Sequence, residues 1–184
     1  ATGLPDGSLA SWLERPESGR YPTVFFSVLV ALCVFVWTRD LYGSSAGLFA
    51  LALYVFDPNM LAHSQLMTTD VYAAGTTTFA LYAFWMFLHR GGWRLLVTSG
   101  LLVGMAAISK YTAVVLLPLF AVIAFVFHLK AFTREIREQR WGDLSRRAVV
   151  FSGVALVFVA LSLLVFNVGF LFNRTLTPLN QYAL

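Results

Sequence analysis

The chain has 184 residues, 59% of them hydrophobic and 12% charged, with a net charge of +4 and a mean hydropathy of +0.74. Soluble domains carry about 25% charged residues, so no single small core can hide this much apolar surface, and a soluble domain is excluded. The pI near 9.5 does not call for nucleic acid, because the basic loops of a membrane protein account for it. Cys33 is the single cysteine and lies inside an apolar run, so there is no disulfide framework.

Residues 1–20 are polar, contain Pro5 and Pro16, and lack the basic, apolar, small-residue order of a signal peptide. They read as an extracytoplasmic polar segment. Neither Ala1 nor the close TLTPLNQYAL looks like a natural end, so a portion of a longer protein is expected. Six apolar runs follow, at 21–37, 41–56, 71–88, 93–109, 111–129 and 148–172. A spanning helix needs about 20 such residues. The second and fourth runs are short and are expected to draw in polar neighbours or to sit where the bilayer thins. Strand alternation is absent, and helices satisfy their own backbone groups in lipid. The expected fold is all-α: a polytopic transmembrane helical bundle of about six spans, filling 21–172. No fixed-period repeat appears within it.

Basic residues set the orientation. Loops at 38–40, 89–94 and 128–147 hold nine of the 13 lysines and arginines, and Arg15, Arg20, Lys110 and Arg174 make up the rest. The richer side is expected to be cytoplasmic, and Trp37, Tyr42, Trp85, Trp93 and Trp141 fall at that boundary as an aromatic belt. Residues 130–147 form a cytoplasmic basic amphipathic segment, with Leu129, Phe132 and Ile136 on one face, suited to anionic headgroups. The loop between Asp57 and Asp70 and the tail 173–184 then face outward. A multi-pass protein of a bacterial inner membrane, or an equivalent membrane, is expected.

In the outward loop, LYVFDPNMLAHSQLMTTD, Asp57-Pro58 is a helix start: an acidic N-cap followed by proline at the first helical position. A short helix over 58–67 would place His63 and Met67 on one face. It breaks at Thr68-Thr69-Asp70, any of which can cap the third span. Each polar residue has a plain reading as a cap or an interfacial side chain. Together, Asp57, His63 and Asp70 can instead hold a metal, orient an acceptor hydroxyl or supply a base. Their spacing matches no established metal motif, so a divalent metal stays open.

Between the fourth and fifth spans almost no loop remains, and Lys110 marks the junction. It either snorkels to headgroups or acts as a point cation for a phosphate. Gly100 and Gly104 form a GxxxG pattern that lets another helix approach. No charge sits mid-span, where Asn167 and several threonines are the strongest polar groups, so transport is not expected. The Asn173-Arg174-Thr175 sequon is too short and too near the membrane to carry weight.

Taken in order, Gly19-Arg20-Tyr21-Pro22, Tyr42-Gly43, Asp57-Pro58 with LAHSQLMTTD, GLLVGMAAISKYTA and FNVGFLFNRTLTPLNQY resemble the GT-C glycosyltransferases of the protein O-mannosyltransferase and aminoarabinose transferase superfamily. The resemblance covers roughly residues 19–182. It implies transfer of a sugar from a polyprenyl-phosphate donor to an extracytoplasmic acceptor, with inversion at the anomeric carbon. It also implies catalytic roles for Asp70 and His63, and a lipid-phosphate contact for Lys110. The superfamily's first outer loop carries an acidic pair ahead of the Arg-Tyr-Pro motif. Here Asp6, Glu14 and Glu17 precede that motif and none is adjacent to another, so the chain alone is expected to lack the catalytic base. Two functions stay open: a portion of a working transferase, or an inactive accessory subunit of a larger membrane complex. Membrane lipids are partners in both.

Overall fold

A computed structural model describes residues 20–64, 66, 68–139 and 141–170. The polar segment before Arg20, the sequon and the 173–184 tail lie outside the described residues. The helices are α1 (Arg20–Tyr42), α2 (Ser44–Phe56), α3 (Pro58–Ser64), α4 (Thr69–Arg90), α5 (Trp93–Ser109), a 3-10 turn (Tyr111–Val115), α6 (Leu116–Arg137) and α7 (Trp141–Gly169). No strand forms among the described residues. The all-α membrane bundle expected from the sequence is what the chain builds.

Its surface shows why lipid is required. Phe25, Phe49, Phe56, Val149 and Leu156 are each between 66% and 79% exposed, on helices with almost no charge. Such a contiguous apolar exterior is a liability in water and ordinary in a bilayer. Among the described residues four helices are long and apolar enough to cross a membrane, or five if α2 and α3, bent by 63° at Asp57, count as one broken span. The sequence suggested about six. The difference lies in α2, which stops after 13 residues, and α5, which has 17. At 1.5 Å per residue these reach about 20 and 25 Å, short of a core about 30 Å thick.

The chain forms two compact units, residues 1–82 and 83–184, with the boundary inside α4. In the first, α1 and α2 form a hairpin. α1 ends as the Gly43 N–H donates to Arg39 O at 2.8 Å, and Gly43 takes φ 92, a left-handed turn that favours glycine. A Cβ at Gly47 would lie 2.9 Å from the Phe35 carbonyl oxygen, so the two backbones meet closely. Ser27 Oγ and Tyr54 OH are 3.1 Å apart across this hairpin, and Tyr54 OH also donates to Ser27 O at 3.2 Å. Gly75 of α4 packs on Phe26 and Val30 of α1. Near the other end of α1, Tyr82 OH donates to Asp40 Oδ2 at 2.8 Å.

In the second unit α5 and α7 lie in close contact, and the GxxxG pattern is the reason. A Cβ on Gly104 would come 2.5 Å from Val165 Cβ, and one on Gly100 3.2 Å from Leu161 Cβ. Ser162 Oγ donates to Gly100 O at 3.2 Å. Phe84, Phe120 and Phe158 form an aromatic cluster, with the first two stacked at 4.3 Å between centroids. The charged stretch 130–147 is not a separate surface helix. α6 runs to Arg137, a turn passes Glu138 and Gln139, and α7 starts at Trp141. Arg147 Nη2 then reaches back to Glu135 Oε1 at 2.6 Å, and its Nε lies 2.9 Å from the same oxygen.

Candidate active site

α2 is apolar throughout and ends where Asp57 turns extended, with φ −69 and ψ 120. Its Oδ1 accepts a hydrogen bond from the Met60 N–H at 2.9 Å. Leu61 N–H donates to Asp57 O at 3.0 Å. Asp57 is therefore the N-cap of α3, with Pro58 at the first helical position, as the sequence suggested. Its carboxylate satisfies a backbone donor that α3 would otherwise leave unpaired.

α3 is shorter than the 58–67 stretch proposed from sequence. It ends at Ser64, whose hydroxyl donates to Leu61 O at 2.9 Å, and Leu66 N–H donates to His63 O at 3.3 Å in the bend that follows. Gln65 and Met67 lie outside the described residues, so the proposed pairing of faces with Met67 does too. α4 then opens at Thr69, placing Asp70 in its first turn. A negative side chain there complements the exposed N–H groups and positive end of the helix.

This reversal brings His63 back onto Asp70. His63 Nδ1 stands 4.0 Å from Asp70 Oδ2, and the two side chains are 43% and 47% exposed. The distance is too long for a hydrogen bond but sets the imidazole beside the carboxylate. His63 Nδ1 and Thr68 Oγ1 are both buried atoms with no hydrogen-bond partner among the described residues. Buried polar atoms are paired in the great majority of cases, so two unmet ones between His63 and Thr68 mark a place where a further polar group fits. Thr68 drew attention in the sequence only as a possible cap.

Two ties hold the ground next to this pair. Thr23, 1% exposed, lies with its Oγ1 3.0 Å from Tyr72 OH, joining the first turns of α1 and α4. The Phe26 and Tyr72 rings lie 5.0 Å apart. Tyr72 is two residues after Asp70, so the bond fixes the segment that carries the carboxylate. Sequence reading missed this tie, since a threonine and a tyrosine 49 positions apart give no local signal.

Lys110 belongs to the second unit, whereas Asp57, His63 and Asp70 belong to the first. It is one extended residue, φ −154 and ψ 120, between α5 and the 3-10 turn. Its N–H donates to Ala106 O and its carbonyl accepts from the Ala113 N–H, both at 2.9 Å. Lys110 is exposed. Among the described residues no group of three or more His, Cys, Asp or Glu side chains is arranged to hold a metal ion.

Long apolar helices with lipid-compatible exteriors define an integral membrane protein of the all-α class. Residues 14–163 match the profile of the dolichyl-phosphate-mannose-protein mannosyltransferase family. The match spans most of the chain, which therefore belongs to that family, a GT-C-type group of membrane glycosyltransferases. No curated protein and no solved structure gave a match.

Proposed function

We propose that the chain forms part of a transferase that moves a sugar from a polyprenyl-phosphate donor to a hydroxyl acceptor on the extracytoplasmic face. The observation that carries this reading is the meeting of His63 with Asp70 at 4.0 Å, beside unmet polar atoms, in a chain of this family. The acceptor oxygen attacks the anomeric carbon from the face opposite the phosphate. The bond from that carbon to the phosphate oxygen breaks, and the lipid phosphate leaves with the electron pair. The hydroxyl proton passes, as the new bond forms, to the first-outer-loop carboxylate that the family resemblance implies for the complete enzyme. Asp70 accepts a hydrogen bond from the acceptor hydroxyl and orients it, with His63 beside it at 4.0 Å. For Lys110, in the second unit, the family resemblance implies a lipid-phosphate contact, which a point cation can make.

The test is Asp70→Asn in the complete enzyme, assayed with a polyprenyl-phosphate sugar. Misplacing an acceptor by about 1 Å costs about 100-fold, so turnover should fall by about that factor while expression and gel-filtration behaviour stay unchanged. Unaltered turnover removes Asp70 from the mechanism, and tolerance of both Asp70→Asn and Lys110→Met returns the chain to an accessory-subunit role. Sidedness is checked by labelling: Ser64→Cys should react with a membrane-impermeant maleimide from outside, and Ser145→Cys only after the membrane is opened.

A further inference from the structure

α6 and α7 fold back on one another, and the cleft between them changes character along its length. At the hairpin end a cavity of about 690 Å³ is lined by Lys130, Arg134, Arg146 and Arg147, with Glu135 and Asp143. Arg147 is held by Glu135 and Arg134 by Glu138 at 2.9 Å. Lys130 and Arg146 form no ion pair among the described residues. Four cations against two carboxylates leave this mouth positive.

Arg147 and Val150 also line a second cavity, of about 440 Å³, continuing along the same two helices. Its walls include Phe84, Phe120, Ala124, Phe151 and Phe158. Ala124, His128, Ala131 and Glu135 recur every three or four residues, as do Arg147, Val150, Val154 and Phe158. Each series therefore shares one helix face. The basic mouth and the apolar trough adjoin along the same two helices and share a wall at Arg147 and Val150. The stacked Phe84 and Phe120 rings pack at the apolar end. The trough is of the size typical of small-ligand sites, about 300–1,000 Å³.

We propose that this cleft holds one anionic phospholipid of the leaflet facing the basic loops, its phosphate between Lys130 and Arg146 and an acyl chain along the trough. Charge complementarity selects the headgroup: a net-positive mouth favours phosphatidylglycerol over phosphatidylcholine, whose choline cancels the phosphate. Basic pockets between membrane helices on the cytoplasmic side bind anionic headgroups in this way. The site is separate from the sugar-transfer reading and does not depend on it.

The experiment is native mass spectrometry of the complete protein titrated with dioleoyl phosphatidylglycerol or dioleoyl phosphatidylcholine. Each basic side chain near the headgroup contributes about fivefold in affinity. With two such side chains, Lys130 and Arg146, one phosphatidylglycerol should therefore be retained about 25-fold better than phosphatidylcholine. The Lys130→Gln/Arg146→Gln double variant should lose that preference, and Ala124→Trp should lower binding of both lipids by filling the trough. Equal retention of the two lipids by the wild-type protein would overturn the proposal, whatever the variants do. So would displacement by millimolar inorganic phosphate, which shows a headgroup-only contact. Displacement by an equal amount of polyprenyl phosphate would assign the cleft to the donor instead and sink the proposal equally.

Discussion

Residues 20–82 tie their helices together with hydroxyl groups, and residues 83–170 do so mainly by omitting side chains. The first unit has Thr23 with Tyr72, Ser27 with Tyr54 and Asp40 with Tyr82, each bridging two helices. It uses glycine as well, at Gly47 and Gly75. The second relies on Gly100 and Gly104 against Leu161 and Val165, with one hydroxyl bond from Ser162 and one ion pair at the hairpin end. Lipid is as apolar as leucine, so burying leucine between helices gains little in a bilayer. Close backbone approach and polar ties are the two means left. The polar ties fall in the unit that carries His63 and Asp70, where they aim a segment. The glycine contacts predominate where the helices act as scaffold.

The comparison breaks or sharpens on a short series of variants. The largest expected effect is Gly104→Leu, whose Cβ alone would sit 2.5 Å from Val165 Cβ. It should cost about 3 kcal/mol, seen as loss of the monodisperse peak in detergent. Arg147→Met comes next, because it strands Glu135, which is only 8% exposed. About 2 kcal/mol should be lost, and adding Glu135→Gln should restore most of the thermal stability. Tyr72→Phe removes a hydroxyl tie worth about 0.6 kcal/mol by the average for membrane helices. Its effect on turnover should exceed its effect on stability, since Tyr72 positions Asp70. Last, Gly153→Leu on α7 should change stability by less than about 0.5 kcal/mol, as a Cβ there meets nothing within 4 Å. If Tyr72→Phe destabilised as much as Gly104→Leu, the contrast between the units would fail.

Much of this was legible in the residues because membrane helices announce themselves by composition. Among the described residues, most of each apolar run lies in helix. Asp57-Pro58 reads as a cap and is one, because proline and an acidic N-cap act within a single turn. The GxxxG pattern indicated a close contact, although not which helix would fill it. What the sequence did not disclose depends on reversals of the chain. His63 meets Asp70 only because α3 stops at Ser64 and α4 opens at Thr69. Arg147 meets Glu135 only through the turn at Glu138 and Gln139, so the charges read from sequence as one amphipathic surface are in part internal to a hairpin. The turn at Gly43 leaves Leu41 and Tyr42 to α1, so α2 starts at Ser44 and is shorter than the apolar run 41–56.

The junction at Lys110 has a kinematic consequence. One extended residue spans about 3.8 Å between neighbouring Cα atoms, which leaves no slack between α5 and the turn that starts α6. Neither can slide along the membrane normal unless the other follows, and the freedom left is rotation about the two backbone torsions of Lys110. The pair behaves as a crank with its pivot at a cation, so any group that binds that cation also restrains the one joint about which α5 and α6 can turn.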